Sequence, residues 1–340
     1  MSLAKSIARL VEGLDMHEAE AEEAMATIME GRATPAQIGA FLAALRLKRE
    51  TVAEVTGLAR AMRAKAEKLP TRQSLLVDTC GTGGDGRGTF NISTAAALVV
   101  AACGLPVAKH GNRSVSSNCG SADVLEALGV AIDLPPLLVA RCVDEVGLGF
   151  LFAPTFHRAM SHAAGPRREL GIRTVFNLLG PLCNPAGAPV QLVGVYDERL
   201  VETIARVLGR LGTRHAFVVH GCDGLDEVTV TGPTLVAELR DGTVRTYEFD
   251  PRAVGIPYAG LADLQGGDAG TNAAIIRRIL EGEPGPRRDV VLLNAAFALL
   301  AGDKVSDVRH GLTLAAQAVD SGRAHAKLQE LVAFSRRWAA

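Results

Sequence analysis

The stretch from residue 74 to residue 103 limits the fold more than any other part of the chain. SLLVDTC is a short apolar run that stops at a glycine-rich turn, GTGGDGRG, and NISTAAALVVAAC follows without a single charge. A short apolar run closed by glycines reads as a strand, and the longer run reads as a buried helix. LPVAK supplies the next strand, and ADVLEAL the next helix, opened by Ser121 or Ala122 and closed by Gly129. Strands alternating with helices predict a mostly parallel central sheet flanked by helices. VQLVGVY, RLVETIARVLGRL and HAFVVHG extend the alternation, and Asp241-Gly242 between LVAELR and TVRTYEF predicts a hairpin. TNAAIIRRILEG, VVLLNAAFALLAG and TLAAQAVDSG read as helices.

Residues 1–70 have a different character. Their apolar positions recur at helical spacing, as in IGAFLAALRL. Capping boxes are expected at Asp15 with Glu18, Thr34 with Gln37 and Thr51 with Glu54, and Pro35 suits a first helical position. The expected architecture is α/β: a small all-helical N-terminal domain, residues 1–70, and a larger α/β domain, residues 71–340.

The balance of residues excludes several functions. Lys and Arg total 36 against 37 Asp and Glu, a net charge of −1, and aromatics are only 4%. Neither a basic surface nor a base-stacking platform is available, so no nucleic-acid partner is expected. The most apolar run, residues 93–108, falls short of the roughly 20 residues that span a bilayer, so no membrane is expected either. Six widely spaced cysteines without a CxxC pair read as reduced thiols, which predicts a cytoplasmic protein.

Two polar loops carry the chemistry. In the first, bare glycine N–H groups and a helix start bearing Asn91, Ser93 and Thr94 make an anion site suited to phosphate. It is neither a P-loop nor a GxGxxG fingerprint. The second, Lys109-His110-Gly111-Asn112-Arg113-Ser114, follows the next strand and should lie on the same sheet edge. Beyond it, Asn118-Cys119-Gly120-Ser121 read as a mobile loop with a readily alkylated Cys119.

DTCGTGGDGRGTFNISTAAA, KHGNRSVSS, GSADVLEALG, LFAPTFHRAM, RRELGIRTVFNLLGPLCNPAG, HGCDGLDEVTVTGPT and VLLNAA occur in this order. Together they resemble the anthranilate phosphoribosyltransferase family, over nearly the whole chain. The resemblance implies transfer of the phosphoribosyl group of phosphoribosyl pyrophosphate to the amine of anthranilate, in tryptophan biosynthesis. It implies Mg2+, two ions per active site, and a homodimer. It also implies that the helical domain takes in a mid-chain return near residues 166–185.

Site residues follow from the same resemblance. Phosphoribosyl pyrophosphate would meet Gly81, Gly84, Asp85, Thr89, Asn91, Ile92, Ser93 and Thr94 in the first loop. In the second it would meet Lys109, His110, Gly111, Asn112, Arg113, Ser114, Val115, Ser116 and Ser117, with Ser121 beyond. Anthranilate would meet Gly81, Asn112 and Arg167, with His110 and His157 lining its path, and Arg168 is the neighbour most easily confused with Arg167. Magnesium would be held by Ser93, Asp226 and Glu227. A guanidinium suits a carboxylate, and hard oxygen ligands suit magnesium. No acid or base is assigned. Asn118-Cys119 departs from a common Lys-Ser, which removes a cation, and Arg158 replaces a common proline. The runner-up is a pyrimidine nucleoside phosphorylase-like enzyme, which would place a lysine-histidine-serine run where Asp78-Thr79-Cys80 stand. A non-catalytic nucleic-acid-binding relative is a further alternative, opposed by the net charge and by Asp226-Glu227.

Overall fold

The computed structural model describes residues 2–114 and 118–338. It opens with helices α1 (Leu3–Val11), α2 (Glu18–Met29), α3 (Pro35–Lys48) and α4 (Val52–Lys65). The α/β part runs β1 (Val77–Gly81), α5 (Ile92–Ala102), β2 (Val107–Gly111), α6 (Ser121–Leu128), α7 (Pro136–Val146) and β3 (Leu148–Phe152). Three helices follow, α8 (Ala153–Phe156), α9 (Ser161–Leu170) and α10 (Phe176–Leu182). Then come β4 (Val190–Gly194), α11 (Val201–Arg210), β5 (His215–Gly221), β6 (Thr234–Arg240) and β7 (Thr243–Phe249). The chain ends with α12 (Ala269–Leu280), α13 (Pro286–Ala301), α14 (Val308–Asp320) and α15 (Arg323–Arg337).

Among the described residues, seven strands form one sheet in the order β3-β2-β1-β4-β5-β6-β7. The first five are parallel, while β6 and β7 run antiparallel as a hairpin turning at Asp241-Gly242. The apolar helix α5 packs on one face with α13 and α15, around Leu98, Val99, Val291 and Phe297. The expected helix is therefore a fully buried one, which explains why its run carries no charge.

The N-terminal helices share a second core with the other face of the sheet. Met25, Leu42 and Leu58 cluster with Ala163, Phe176, Leu179 and Leu182 and with Val193, Ile204 and Val218. Helix α9 lies against α2 and α3, and α10 against α4. Residues near the middle of the chain thus complete the packing of its beginning.

The capping boxes at Thr34 and Thr51 form as expected, with Pro35 as the first residue of α3. The one expected at Asp15 does not. The Asp15 carboxylate pairs with Lys48 instead, at 2.6 Å, and α2 starts two residues later than that box requires. There the His17 N–H donates to Glu20 at 2.8 Å. Lys48 also meets the wholly buried Glu54, so a tertiary ion network outweighs a local cap. The expectation of an accessible Cys119 in the Asn118–Ser121 loop is also corrected. Asn118 is exposed, but Cys119 is only 8% exposed, and the Gly120 N–H donates to Asp123 at 2.8 Å. Among the described residues, all six cysteines are free thiols, and no helix is long and apolar enough to cross a membrane.

Candidate active site

From β1 the chain builds outward through β2 to β3, then returns past β1 to start β4 on its other side. The carboxyl ends of β1 and β4 therefore flank a switch point, the place where open α/β sheets bind ligands. Gly81 and Gly194 end those strands and are paired in register. Asp226 lies over both. A Cβ on Gly81 would collide with its carboxylate, and one on Gly194 with its carbonyl. Only glycine at both strand ends lets this carboxylate sink to the floor of the crevice.

The first loop closes around it. Gly83 and Gly84 are both left-handed, with φ of 64° and 74°, a conformation that favours glycine. The Gly83 N–H donates to Asp226 Oδ2 at 2.8 Å. Glu227 Oε1 accepts the Ser93 N–H at 3.1 Å, in the first turn of α5. Asn294 on α13 pins the next residue, taking the Val228 N–H at 3.0 Å and donating to its carbonyl at 2.9 Å. The acidic pair is thus wedged between a glycine loop and a helix N-terminus.

The charges here are deeply buried. Burial pushes the Asp226 carboxyl up from the usual carboxylate range, and Asp85 beside it adds repulsion. Burial raises Glu227 as well, with Asp226 second, while Lys109 pulls it back. The Lys109 ammonium donates to the Thr79 carbonyl at 2.5 Å and to Ser93 Oγ at 3.4 Å, and burial lowers its pKa. Asp78, also raised by burial, is held by Asn184 Nδ2 at 2.8 Å. Two strained carboxylates beside a hydroxyl fit a hard divalent cation, whose charge would relieve them. Among the described residues, no three His, Cys, Asp or Glu side chains are placed to hold a metal by themselves. Such a cation would complete its shell with water and phosphate oxygens.

In the second loop, Gly111 faces Ser121, whose Oγ donates to the Asn112 carbonyl at 3.3 Å. Asn112 is exposed, with its Oδ1 taking the Arg113 N–H at 2.7 Å. Arg113 itself is paired with Glu126 and Asp123, at 2.9 and 3.0 Å. The Ser114 N–H donates to Asp123 at 3.0 Å. Val115, Ser116 and Ser117 lie outside the described residues. Thr89 bridges to Gln265, and the buried Thr94 leaves its Oγ1 without a partner among the described residues.

The segment around α9 and α10 covers this floor. Arg173 donates to the Gly84 carbonyl and stacks on Tyr196 at 4.5 Å. His110 Nδ1 meets the Gly180 carbonyl at 3.2 Å, and its ring stands 5.0 Å from that of His157. Both imidazoles are less than a tenth exposed. Burial lowers His110 to about 3, helped by His157, and lowers His157 to about 4. Both are neutral at pH 7, and neither Nε2 has a partner among the described residues. Arg167 is half-buried, its guanidinium 4.7 Å from the Phe176 ring centre. Among the described residues it has no carboxylate partner, and burial lowers its pKa. Arg168 is exposed. Gly194, Asn184, Asn294 and Arg173 are missing from the residues expected from sequence. Their partners are distant in the chain, and only Asn294, an amide inside the apolar run VVLLNAAFALLA, carries a local signal.

Residues 73–325 match the model of the glycosyl transferase family α/β domain, and residues 4–66 that of the same family's helical bundle domain. The chain is 64% identical, over 99% of its length and all of the relative's, to the anthranilate phosphoribosyltransferase of Moorella thermoacetica. Its fold is similar to the crystal structure of anthranilate phosphoribosyltransferase from Thermus thermophilus. The TM-score is 0.92 at 45% identity, covering 97% of this chain and 99% of that one. The Saccharomyces cerevisiae enzyme in complex with phosphoribosyl pyrophosphate and magnesium superimposes with a TM-score of 0.90 at 26% identity, covering 98% of each chain. The same yeast enzyme has also been solved with 4-fluoroanthranilate.

Proposed function

The chain belongs to the anthranilate phosphoribosyltransferase family, and we propose that it makes N-(5-phosphoribosyl)anthranilate and pyrophosphate from phosphoribosyl pyrophosphate and anthranilate, for tryptophan biosynthesis. The observation that carries this reading is the buried acidic pair, Asp226-Glu227, held between a glycine loop and a helix N-terminus at the switch point. The ligands of the yeast relative support it.

In this reading the first loop, Gly81 to Thr94, and Lys109 cradle the phosphates. Backbone N–H groups and a buried ammonium, already in place, stabilise the charge that develops on the leaving pyrophosphate. Ser93, Asp226 and Glu227 would hold magnesium, two ions per active site. When bound, the metal neutralises charge on the pyrophosphate oxygens. Arg167 and Asn112 orient anthranilate, the guanidinium facing its carboxylate, and Gly81, His110 and His157 line its approach. The amine lone pair attacks C1 of the ribose, the C1–O bond breaks with its electron pair leaving on pyrophosphate, and the proton of the new C1–N adduct passes to pyrophosphate or water. An arylamine is unprotonated at neutral pH, so the attack needs no base. Neutral His110 and His157 fit a path for an aromatic ring better than two cations would. Arg173 and Gly180 tie the covering segment to both loops, which favours a dry, fixed geometry.

The same reading assigns residues 1–70 and 166–185 to one body and the rest of residues 71–340 to the catalytic one. It includes a homodimer in the cytoplasm. Exposed Val11 and Leu47 on α1 and α3, with Leu14 in the connection after α1, support a partner surface there. The test is product analysis. With both substrates and magnesium, the purified chain should form pyrophosphate and phosphoribosylanthranilate in equal amounts. Pyrophosphate release without the anthranilate adduct would reject the proposal.

A further inference from the structure

Asn272 is a polar side chain in the first turn of α12, 1% exposed, that the reaction above does not use. It links two parts of the site. Its Oδ1 accepts the Gly267 N–H at 2.8 Å, and its Nδ2 donates to Asn91 Oδ1 at 3.0 Å. Asn91 Nδ2 in turn donates to the Cys119 carbonyl at 3.1 Å. The packing leaves no slack: a Cβ on Gly266 would meet both Asn272 Oδ1 and the backbone of Phe90.

An amide oxygen and nitrogen have the same shape, so the partners decide which way the group points. Both ends of this chain of bonds are backbone groups of fixed polarity. Gly267 can only donate, and the Cys119 carbonyl can only accept. Asn272 must therefore turn its oxygen to Gly267 and its nitrogen to Asn91. Asn91 must then turn its oxygen to Asn272 and its nitrogen toward the segment that follows the second loop.

We propose that Asn272 is a positioning residue for the donor substrate. It fixes Asn91 with the NH2 group outward, leaving one N–H for an acceptor-only ligand such as a phosphate oxygen. A reversed Asn91 would present a carbonyl oxygen to the same anion. The inference rests on the reading of Asn91 as a contact of phosphoribosyl pyrophosphate.

The test is a double-mutant cycle of Asn91→Ala, Asn272→Asp and the pair, read as KM for each substrate, donor Kd by calorimetry, and Tm. Asn272→Asp keeps the shape and the acceptor for Gly267 but has no hydrogen for Asn91. Each single variant should raise the KM and Kd of phosphoribosyl pyrophosphate roughly tenfold, with the anthranilate KM within about twofold. The double variant should be no more than about twofold worse than Asn91→Ala. A merely structural role, or repulsion of phosphate by the new charge, would act equally in both backgrounds. Multiplying effects, or an unchanged donor KM in Asn272→Asp, would therefore overturn the proposal. Should the buried carboxylate prevent folding, Asn272→Ser runs through the same cycle without a charge. An Asn91→Ala enzyme with normal donor binding would reject the reading of Asn91 itself, and the relay with it.

Discussion

The Asp226 carbonyl passes so close over Gly194 that no Cβ fits between them. Asp226 also crowds Gly81 on the neighbouring strand, so two strand ends and one carboxylate form a single packed unit. The depth of the acidic pair is thus set by what two glycines lack.

Gly194→Ala tests this unit without touching a charged group. The new methyl must displace the 226–227 backbone, against the grip of Asn294 on Val228. Overpacking of this kind costs about 1–3 kcal/mol of stability. A displaced carboxylate should lower kcat/KM by roughly 100-fold. Thermal melting and steady-state kinetics measure the two effects, and a stable, fully active variant would mean that the position of Asp226 is not critical.

Asp226→Asn combined with Glu227→Gln should separate stability from activity. The amide oxygens can still accept the Gly83 and Ser93 N–H groups, while two costly buried charges are removed. Tm should hold steady or rise. Activity should fall by roughly 100-fold or more, because neutral amides are poor ligands for magnesium. A magnesium titration of the variant reads this directly, and near-normal activity at low magnesium would refute the metal role.

Arg167→Ala should act on one substrate. Loss of a charge-assisted contact, worth about 1.5–3 kcal/mol, should raise the anthranilate KM by roughly 10- to 100-fold and leave the donor KM nearly unchanged. Arg168→Ala, at an exposed position, should behave like the parent. Equal effects on both substrates, or a larger effect at Arg168, would move the carboxylate contact elsewhere.

These residues differ in how far the sequence exposes them. The glycine loop and the start of α5 are legible because a glycine cluster, and short polar residues ahead of an uncharged apolar run, are local marks. The role of Asp226-Glu227 rests on surrounding motif alone, since Asp144-Glu145 and Asp197-Glu198 have the same two letters. Gly194 and Asn272 are silent, because their reasons lie in Asp226 and Asn91, far along the chain. Asp15 shows the opposite failure. Its capping pattern is clear, but Lys48 takes the carboxylate. Cys119 sits among small polar residues that suggest exposure, yet the turn held by Asp123 buries it.

That burial makes a chemical prediction. Burial raises the Cys119 thiol, and its Sγ faces the Gly120 carbonyl at 3.5 Å, so alkylation should be slow with or without substrates. Cys222, the exposed thiol, should be labelled first. Mass spectrometry after timed iodoacetamide treatment gives the order. Rapid labelling of Cys119 would show that the turn opens in solution.

The most direct test is the fluorescence of anthranilate in the presence of the purified chain, phosphoribosyl pyrophosphate and magnesium. The signal should fall at a rate proportional to enzyme, and should stay constant when either the donor or magnesium is left out. A constant signal in the complete mixture, with thymidine cleaved by phosphate instead, would contradict the account and favour a nucleoside phosphorylase.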